Sequence, residues 1–219
     1  MKHFQRELDK IKKMILSLGA LVEQRVHRVK IAVEERDADL AREIIKLDYE
    51  IDEMEVDIDE ECLKTIALHQ PVAADLRFVV AVIKINNDLE RIGDQVVNIA
   101  QRVVRIAKRA VAPFHFDYSV MADRAEAMLR MSLDSLVGQD LDLAVKVLLM
   151  DDEVDQIKVE AYDRIKQAMA DGVTNDVGYM INLLLISRHL ERVADHATNI
   201  AEEVVYMIEG EIVRHGKLD

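Results

Sequence analysis

The sequence predicts an all-α fold built from two tandem three-helix bundles related by internal duplication. Three observations carry that prediction. Apolar residues recur at alternating steps of three and four over long runs, turn formers are scarce, and a set of polar residues reappears 101 to 103 positions later in the chain. The first is the signature of helices that turn one stripe toward other helices, close to a coiled-coil seam. The second rests on seven Gly and two Pro in 219 residues, with aromatic residues at only 4%. Few turn formers mean few turns, which favours long helices over many short strands. The third is better accounted for by duplication, because core periodicity alone would repeat Leu and Ile but not outward acids.

Taken in order, the first helix carries Phe4, Leu8, Ile11, Ile15, Leu18, Val22, Val26, Val29 and Val33 on its apolar stripe. Arg36-Asp37 separates it from a second helix with Leu40, Ile44, Leu47, Ile51, Met54 and Ile58 inward. Gln70-Pro71 ends the second, and Pro71 suits the start of the third because a helix needs no N–H at its first position. The third stripe is Val82, Ile85, Leu89, Ile92, Val96, Ile99, Val103 and Ile106. Lys108 to Tyr118, with Pro113 and several aromatic residues, closes the first half. The division expected is a first bundle over 1–110, a linker over 111–118 and a second bundle over 119–219. The fourth helix runs from Ser119 to Val137 with Met121, Ala125, Met128 and Leu136 inward. The fifth carries Leu143, Val147, Met150, Val154, Ile157 and Ala161, and the sixth Leu183, Ile186, Leu190, Val193, Ala197, Ile200, Val204 and Met207. The loop Ala170 to Asn175 stands where Pro71 stood.

The repeat is visible in residues as well as in plan. Leu89-Glu90-Arg91-Ile92-Gly93-Asp94 matches Leu190-Glu191-Arg192-Val193-Ala194-Asp195, and Asn98-Ile99-Ala100 matches Asn199-Ile200-Ala201, both at a shift of 101. Asp39-Leu40-Ala41 matches Asp142-Leu143-Ala144, and Asp48 and Asp52 match Asp151 and Asp155, at a shift of 103. Residues advance about 100° along a helix, so Glu90 and Asp94 project one turn apart beside the core stripe. Asp48 and Asp52 do the same on the preceding helix. If each hairpin packs antiparallel about its turn, Asp48 falls opposite Asp94 and Asp52 opposite Glu90. Likewise Asp151 meets Asp195, and Asp155 meets Glu191. Each half thus gathers four carboxylates along one helix seam. The small Gly93, and Ala194 after it, leave room for something to approach the helix.

Like charges one turn apart repel by ~0.2–0.5 kcal/mol per pair. Asp48 to Glu61 holds nine acids in fourteen residues with no Lys or Arg, so a cation is expected to neutralise them. All-oxygen sites select Mg, Ca, Mn or iron over thiolate-loving metals. Two blander readings stand beside this one: a solvated acidic face, and neutralisation by Arg91 and Arg192. His189 and His196 flank the second signature, but the first copy has Asp88 and Gln95 there, so they are left out of the metal set. No Glu-x-x-His occurs, which argues against a ferritin-like di-iron oxidase. The stretch Gly210 to Lys217 is one residue too long for a phosphate loop and lacks its Ser or Thr.

The formal charge of −13 repels phosphate backbones and excludes nucleic acid as a direct partner. A single cysteine, Cys62, allows no intrachain disulfide and reads as a buried thiol in a reducing compartment. The first residues carry charges where a signal peptide needs an apolar core. The longest uncharged stretch, Val177 to Ser187, falls well short of the ~20 residues a membrane span needs. A cytoplasmic protein without membrane insertion is expected, with attachment to a membrane complex left open.

The chain closely resembles the PhoU family of phosphate-signalling accessory proteins over nearly its whole length. In the first half the resemblance rests on Gln70-Pro71-Val72-Ala73-Ala74-Asp75-Leu76-Arg77 and on Asn87-Asp88 followed by the Glu90–Asp94 signature. In the second it rests on Leu190 through Glu202 and on the trailing Val205-Tyr206-Met207-Ile208-Glu209-Gly210-Glu211. The resemblance implies metal ions, including multinuclear iron clusters, held by Asp48, Asp52, Glu90 and Asp94 and by Asp151, Asp155, Glu191 and Asp195. Iron is the first expectation, with Mn, Mg and Zn as alternatives. It further implies a negative regulator of the phosphate-starvation response, a homodimer that links the phosphate ABC transporter ATPase to a sensor histidine kinase. The sequence shows no nucleophile–base pair and no cofactor loop, so a non-enzymatic adaptor is expected. The competing reading is a metalloenzyme that uses the carboxylate clusters for hydrolysis or redox work.

Overall fold

The computed structural model describes residues 2–109, 114–174 and 176–210. Residues 110–113 of the expected linker (Pro113 among them), Asn175 of the second hairpin turn, and the chain from Glu211 onward lie outside the described residues. The described residues form α1 (Lys2–Glu35), α2 (Ala38–Lys46), α3 (Tyr49–His69), α4 (Ala73–Ile106), α5 (Ser119–Gly138), α6 (Leu141–Ala170) and α7 (Val177–Glu209), with no strand among them. The fold is all-α, with tandem helical bundles. Every stripe residue from Leu8 to Val33 on α1, from Val82 to Ile106 on α4 and from Leu183 to Met207 on α7 is buried. These residues join one continuous apolar core that spans both halves.

The duplication extends to the turns. Arg36 and Gln139 both adopt positive φ, at 54° and 49°. The residue after each is a capping aspartate: Asp37 accepts from the N–H groups of Asp39 and Leu40, and Asp140 from that of Leu143 at 3.0 Å. Such caps are each worth about 1 kcal/mol.

Two expectations need correction. The second helix is not continuous: α2 ends at Lys46 and α3 starts at Tyr49. Leu47 sits at φ −96°, ψ 9°. The next turn is closed by tight three-residue bonds, Glu50 N–H to the Leu47 carbonyl at 3.3 Å and Ile51 N–H to that of Asp48 at 2.9 Å. No Gly or Pro lies between Ala38 and His69, and the apolar steps run through the break in register, so nothing local announces it. Both pieces pack on α1 and α4, and that packing, not propensity, allows the offset. The equivalent α6 is uninterrupted. Secondly, Pro71 does not begin a helix. Gln70, at φ 46°, ends α3, and Val72 is the N-cap of α4, so Pro71 is buried within the turn.

The halves meet most extensively along α4 and α7. These run antiparallel about a local two-fold that exchanges equivalent positions. His196 pairs with Asp88 at 2.8 Å and His189 with Gln95 at 2.9 Å. The positions first seen as flanking the two signatures therefore bond each other across the repeat interface. Asn199 adds a hydrogen bond to Asp88 at 3.0 Å, and Lys84 pairs with Glu203 at 2.9 Å. The described end of the connection between halves is packed as well. Phe116 and Tyr118 are buried with ring centroids 4.9 Å apart, and the Tyr118 hydroxyl donates to the Leu183 carbonyl at 2.6 Å.

Candidate metal centre

In the first repeat, Asp48 sits at the break between α2 and α3, Asp52 one turn further on, and Glu90 and Asp94 face them from α4. Their electrostatics report the register. Burial holds the Asp48 carboxyl above its ordinary range, the charges of Asp52 and Asp94 add to this, and Arg25 opposes it. Glu90 is held up in the same way by burial and then by Asp94, against Arg91, with Glu55 and Asp52 contributing. The cross-helix pairs Asp48–Asp94 and Asp52–Glu90 thus feel one another, as antiparallel packing about the Pro71 turn demands.

The second repeat shows the same arrangement. Asp151 is raised by burial and by Asp155, Asp152 and Glu191, while the Thr198 hydroxyl, 3.3 Å away, works against the shift. Asp195 is pushed up to about 6, by burial first, then by Glu191, Asp151 and Asp155, against His196. Here, however, a cation is built in. The Lys158 ammonium lies 2.9 Å from Asp155 on its own helix and 2.6 Å from Glu191 on the facing one. Burial works against its charge, yet those hydrogen bonds hold its pKa above the ordinary lysine value.

The acidic run is partly neutralised from α1. Lys10 meets Glu61 at 2.5 Å and Arg25 pairs with Glu50, while Lys64, on α3 itself, adds a contact to Glu61 at 3.3 Å. Among the described residues no Lys or Arg forms an ion pair with Asp48, Asp52 or Glu55. Arg91 lies 3.6 Å from Glu90 and 3.5 Å from Asp94 with its side chain half exposed. Exposed pairs at that range contribute little. Arg192 makes no ion pair among the described residues.

The small residue within the signature has a different role from the one expected. Gly93 is buried, and a Cβ added there would lie 3.0 Å from Ile51 Cδ1 and 3.3 Å from its Cγ2. The space is filled by the facing helix and is not open to a ligand. At the equivalent positions of the second repeat stand Ala194 and Val154, both buried. The methyl group gained on one helix is lost on the other.

Three further groups belong to the clusters: Glu55, Lys158 and Thr198. The first two occupy one duplicated position 103 residues apart, so comparing the repeats for differences as well as identities would have exposed them. Thr198 follows Asp195 by three residues, the spacing that puts two side chains on one helix face.

The donor set fits a hard cation. It is all oxygen, comes from two helices per repeat, and is held so that burial and then mutual repulsion raise several of its pKa values, the second of which a divalent ion would relieve. As the side chains lie, no three His, Cys, Asp or Glu groups among the described residues are arranged to hold one ion. Ligation of one ion by three or more of these groups would therefore take rotation of side chains. The second cluster is also less convex than an outer helix flank suggests. Asp151, Glu191 and Asp195 line a groove of about 870 Å³ that Arg188 and Arg192 border.

The family model for the PhoU domain matches residues 15–103 and again residues 118–204, one match per repeat. A phosphate-specific transport system accessory protein PhoU homolog from Pseudomonas putida is 34% identical over 216 residues, covering 98% of this chain and 84% of that protein. The homolog from Aquifex aeolicus is 37% identical over 213 residues, with 96% and 95% covered. The crystal structure of PhoU from Pseudomonas aeruginosa aligns with a TM-score of 0.90 at 33% identity, covering 95% of this chain and 100% of that one.

Proposed function

The chain belongs to the PhoU family, and from that membership we propose that it is an accessory regulator of phosphate transport. In this reading it represses the phosphate-starvation response as a cytoplasmic, dimeric helical adaptor. It couples the ATPase of the phosphate ABC transporter to the sensor histidine kinase. Among the described residues no helix is long and apolar enough to cross a membrane.

The observation that carries the metal-dependent part is the pair of cross-helix carboxylate clusters, one in each repeat. Asp48, Asp52, Glu90 and Asp94 would hold iron, or Mn, Mg or Zn, in the first. Asp151, Asp155, Glu191 and Asp195 would do so in the second. A bound ion supplies positive charge that ties α3 to α4, or α6 to α7, and so stiffens the faces offered to partners.

Deleting the gene is expected to derepress phosphate uptake under abundant phosphate. The wild-type gene should restore repression, and one carrying Asp94→Asn with Asp195→Asn should not. Normal repression in the deletion strain would overturn the regulatory reading. Elemental analysis of protein purified without chelator or affinity tag tests the metal directly, and the absence of stoichiometric metal would leave only a solubilising role for the acids. The groove over the second cluster favours one rival, a metalloenzyme. Phosphoester turnover by metal-loaded protein, lost in Asp195→Ala, would establish that rival instead.

A further inference from the structure

The two repeats differ in charge at one end of their clusters, beside Asp52 and Glu90 in the first and beside Asp155 and Glu191 in the second. Glu55 of α3 and Lys158 of α6 are the same duplicated position, 103 residues apart. In the first repeat that position adds a fifth carboxylate to Asp48, Asp52, Glu90 and Asp94. Its backbone is pinned by Asn86, which donates to the Glu55 carbonyl at 2.8 Å. In the second repeat the same position carries an ammonium, joined at 2.9 Å to Asp155 of α6 and at 2.6 Å to Glu191 of α7. That ammonium bridges the two helices through the carboxylates that a metal would need. It is a monovalent, tethered cation where the first repeat has an anion.

We propose that the clusters are functionally unequal: the first is the divalent-cation site, and Lys158 is a built-in counter-ion that closes the second until the ammonium swings out. The inference rests on the metal-binding reading above. Two physical effects act in the same direction. A divalent ion entering the second cluster must displace an ammonium from two short hydrogen bonds, and it must then sit near a like charge. In the first cluster the incoming ion meets an additional carboxylate, and the one competing cation there, Arg91, is half exposed and sits farther off, 3.6 Å from Glu90 and 3.5 Å from Asp94, while Asp48, Asp52 and Glu55 pair with no Lys or Arg among the described residues. Exchange of one supporting group around a metal changes affinity by about 10- to 100-fold. Replacing an anion with a cation belongs at the upper end of that range. The helix break at Asp48 adds to the asymmetry, because α6 offers Asp151 from an unbroken helix.

The test is titration of the full chain with Mn2+, followed by calorimetry and by electron paramagnetic resonance of free Mn2+. Asp94→Asn and Asp195→Asn assign each binding class to its repeat. Wild type should show a strong class in the first repeat and a class about 10- to 100-fold weaker in the second. Lys158→Glu should strengthen the second class towards the first, Lys158→Met should fall between, and Glu55→Lys should remove the strong class. Circular dichroism checks each variant for helix content, and Lys158→Met serves if Lys158→Glu fails to fold. Two equal classes in wild type, or an unchanged second class in both Lys158 variants, would overturn the inference while metal binding stood. No Mn2+ bound by wild type or by any Lys158 variant would overturn both.

Discussion

Adding one methyl group at Gly93 tests how the first carboxylate seam is assembled. The Cβ of Gly93→Ala would meet Ile51 Cδ1 at 3.0 Å, Cγ2 at 3.3 Å and Cβ at 3.8 Å. Ile51 is 2% exposed and has core on its other sides, so it must shift by a few tenths of an ångström against packed neighbours. Ala is favoured over Gly in a helix by about 1 kcal/mol, whereas overpacking a filled core costs about 1–3 kcal/mol. Gly93→Ala alone is therefore expected to lose about 1 kcal/mol. Ile51→Val alone removes the nearest atom and leaves a small void, at about 1 kcal/mol. Together they recreate the Val154 and Ala194 pair of the second repeat, and the double variant should be as stable as wild type or better. The coupling is about 2 kcal/mol in favour of the pair. Urea unfolding followed by far-ultraviolet circular dichroism measures all four corners of the cycle. Additivity within ~0.5 kcal/mol would show that the seam is not set by this contact, and that the exchange between repeats is coincidental.

Three more outcomes follow from the clusters and the repeat interface. Asp48, Glu90, Asp151 and Asp195 are raised in the fold, so at these sites the folded chain binds protons more readily than the unfolded one, and in the metal-free protein they should add stability as pH falls through about 6 towards the ordinary aspartate value of 3.8. Undiscounted, the Asp195 shift is about 3 kcal/mol, reduced to roughly 1 kcal/mol by solvent screening of its exposed side chain. Glu61 and Asp117 are lowered and act in the opposite sense, as does His189, whose pKa is lowered to about 4 by burial and then by Arg102, Arg192 and Arg188. The decisive measurement is thus the difference in melting temperature between pH 7 and pH 5 for wild type and for Asp195→Asn, and an equal difference in both would refute the assignment. Asp88→Ala removes the acceptor for His196 at 2.8 Å and Asn199 at 3.0 Å; a loss of about 1–3 kcal/mol in urea unfolding is expected, and no loss would show that the α4–α7 seam does not depend on this pair. Cys62 is fully buried and its thiol is pushed up to about 12 by burial and then by Asp59 and Glu61, so a thiol reagent should label it only on unfolding, and rapid labelling of native protein would contradict that burial.

Much of the candidate site was legible because it depends on two simple facts. Helical spacing puts Glu90 with Asp94 and Asp48 with Asp52 beside the core stripe, and a short turn between helices forces antiparallel register. The coupling of Asp48 to Asp94 and of Glu90 to Asp52 agrees with that arithmetic. What escaped was the difference between the repeats. Identities such as Glu90 with Glu191 are conspicuous, while the exchange of Glu55 for Lys158 looks like any surface substitution until Lys158 is seen between Asp155 and Glu191. The room assigned to a ligand beside Gly93 likewise belongs to Ile51, because a small residue in a sequence does not say what occupies the space it leaves.

By itself, the sequence determined the all-α class, the stripes that became the core of α1, α4 and α7, and the duplication. All of these rest on interactions within a turn or two of helix, or on the shortness of a connecting turn. Tertiary structure alone decided the break at Leu47–Asp48, the filling of the Gly93 notch, the pairing of His196 with Asp88 and His189 with Gln95, and the ammonium that bridges the second cluster. Each of these depends on the volume or charge of groups brought together from distant parts of the chain, and local periodicity carries no record of them.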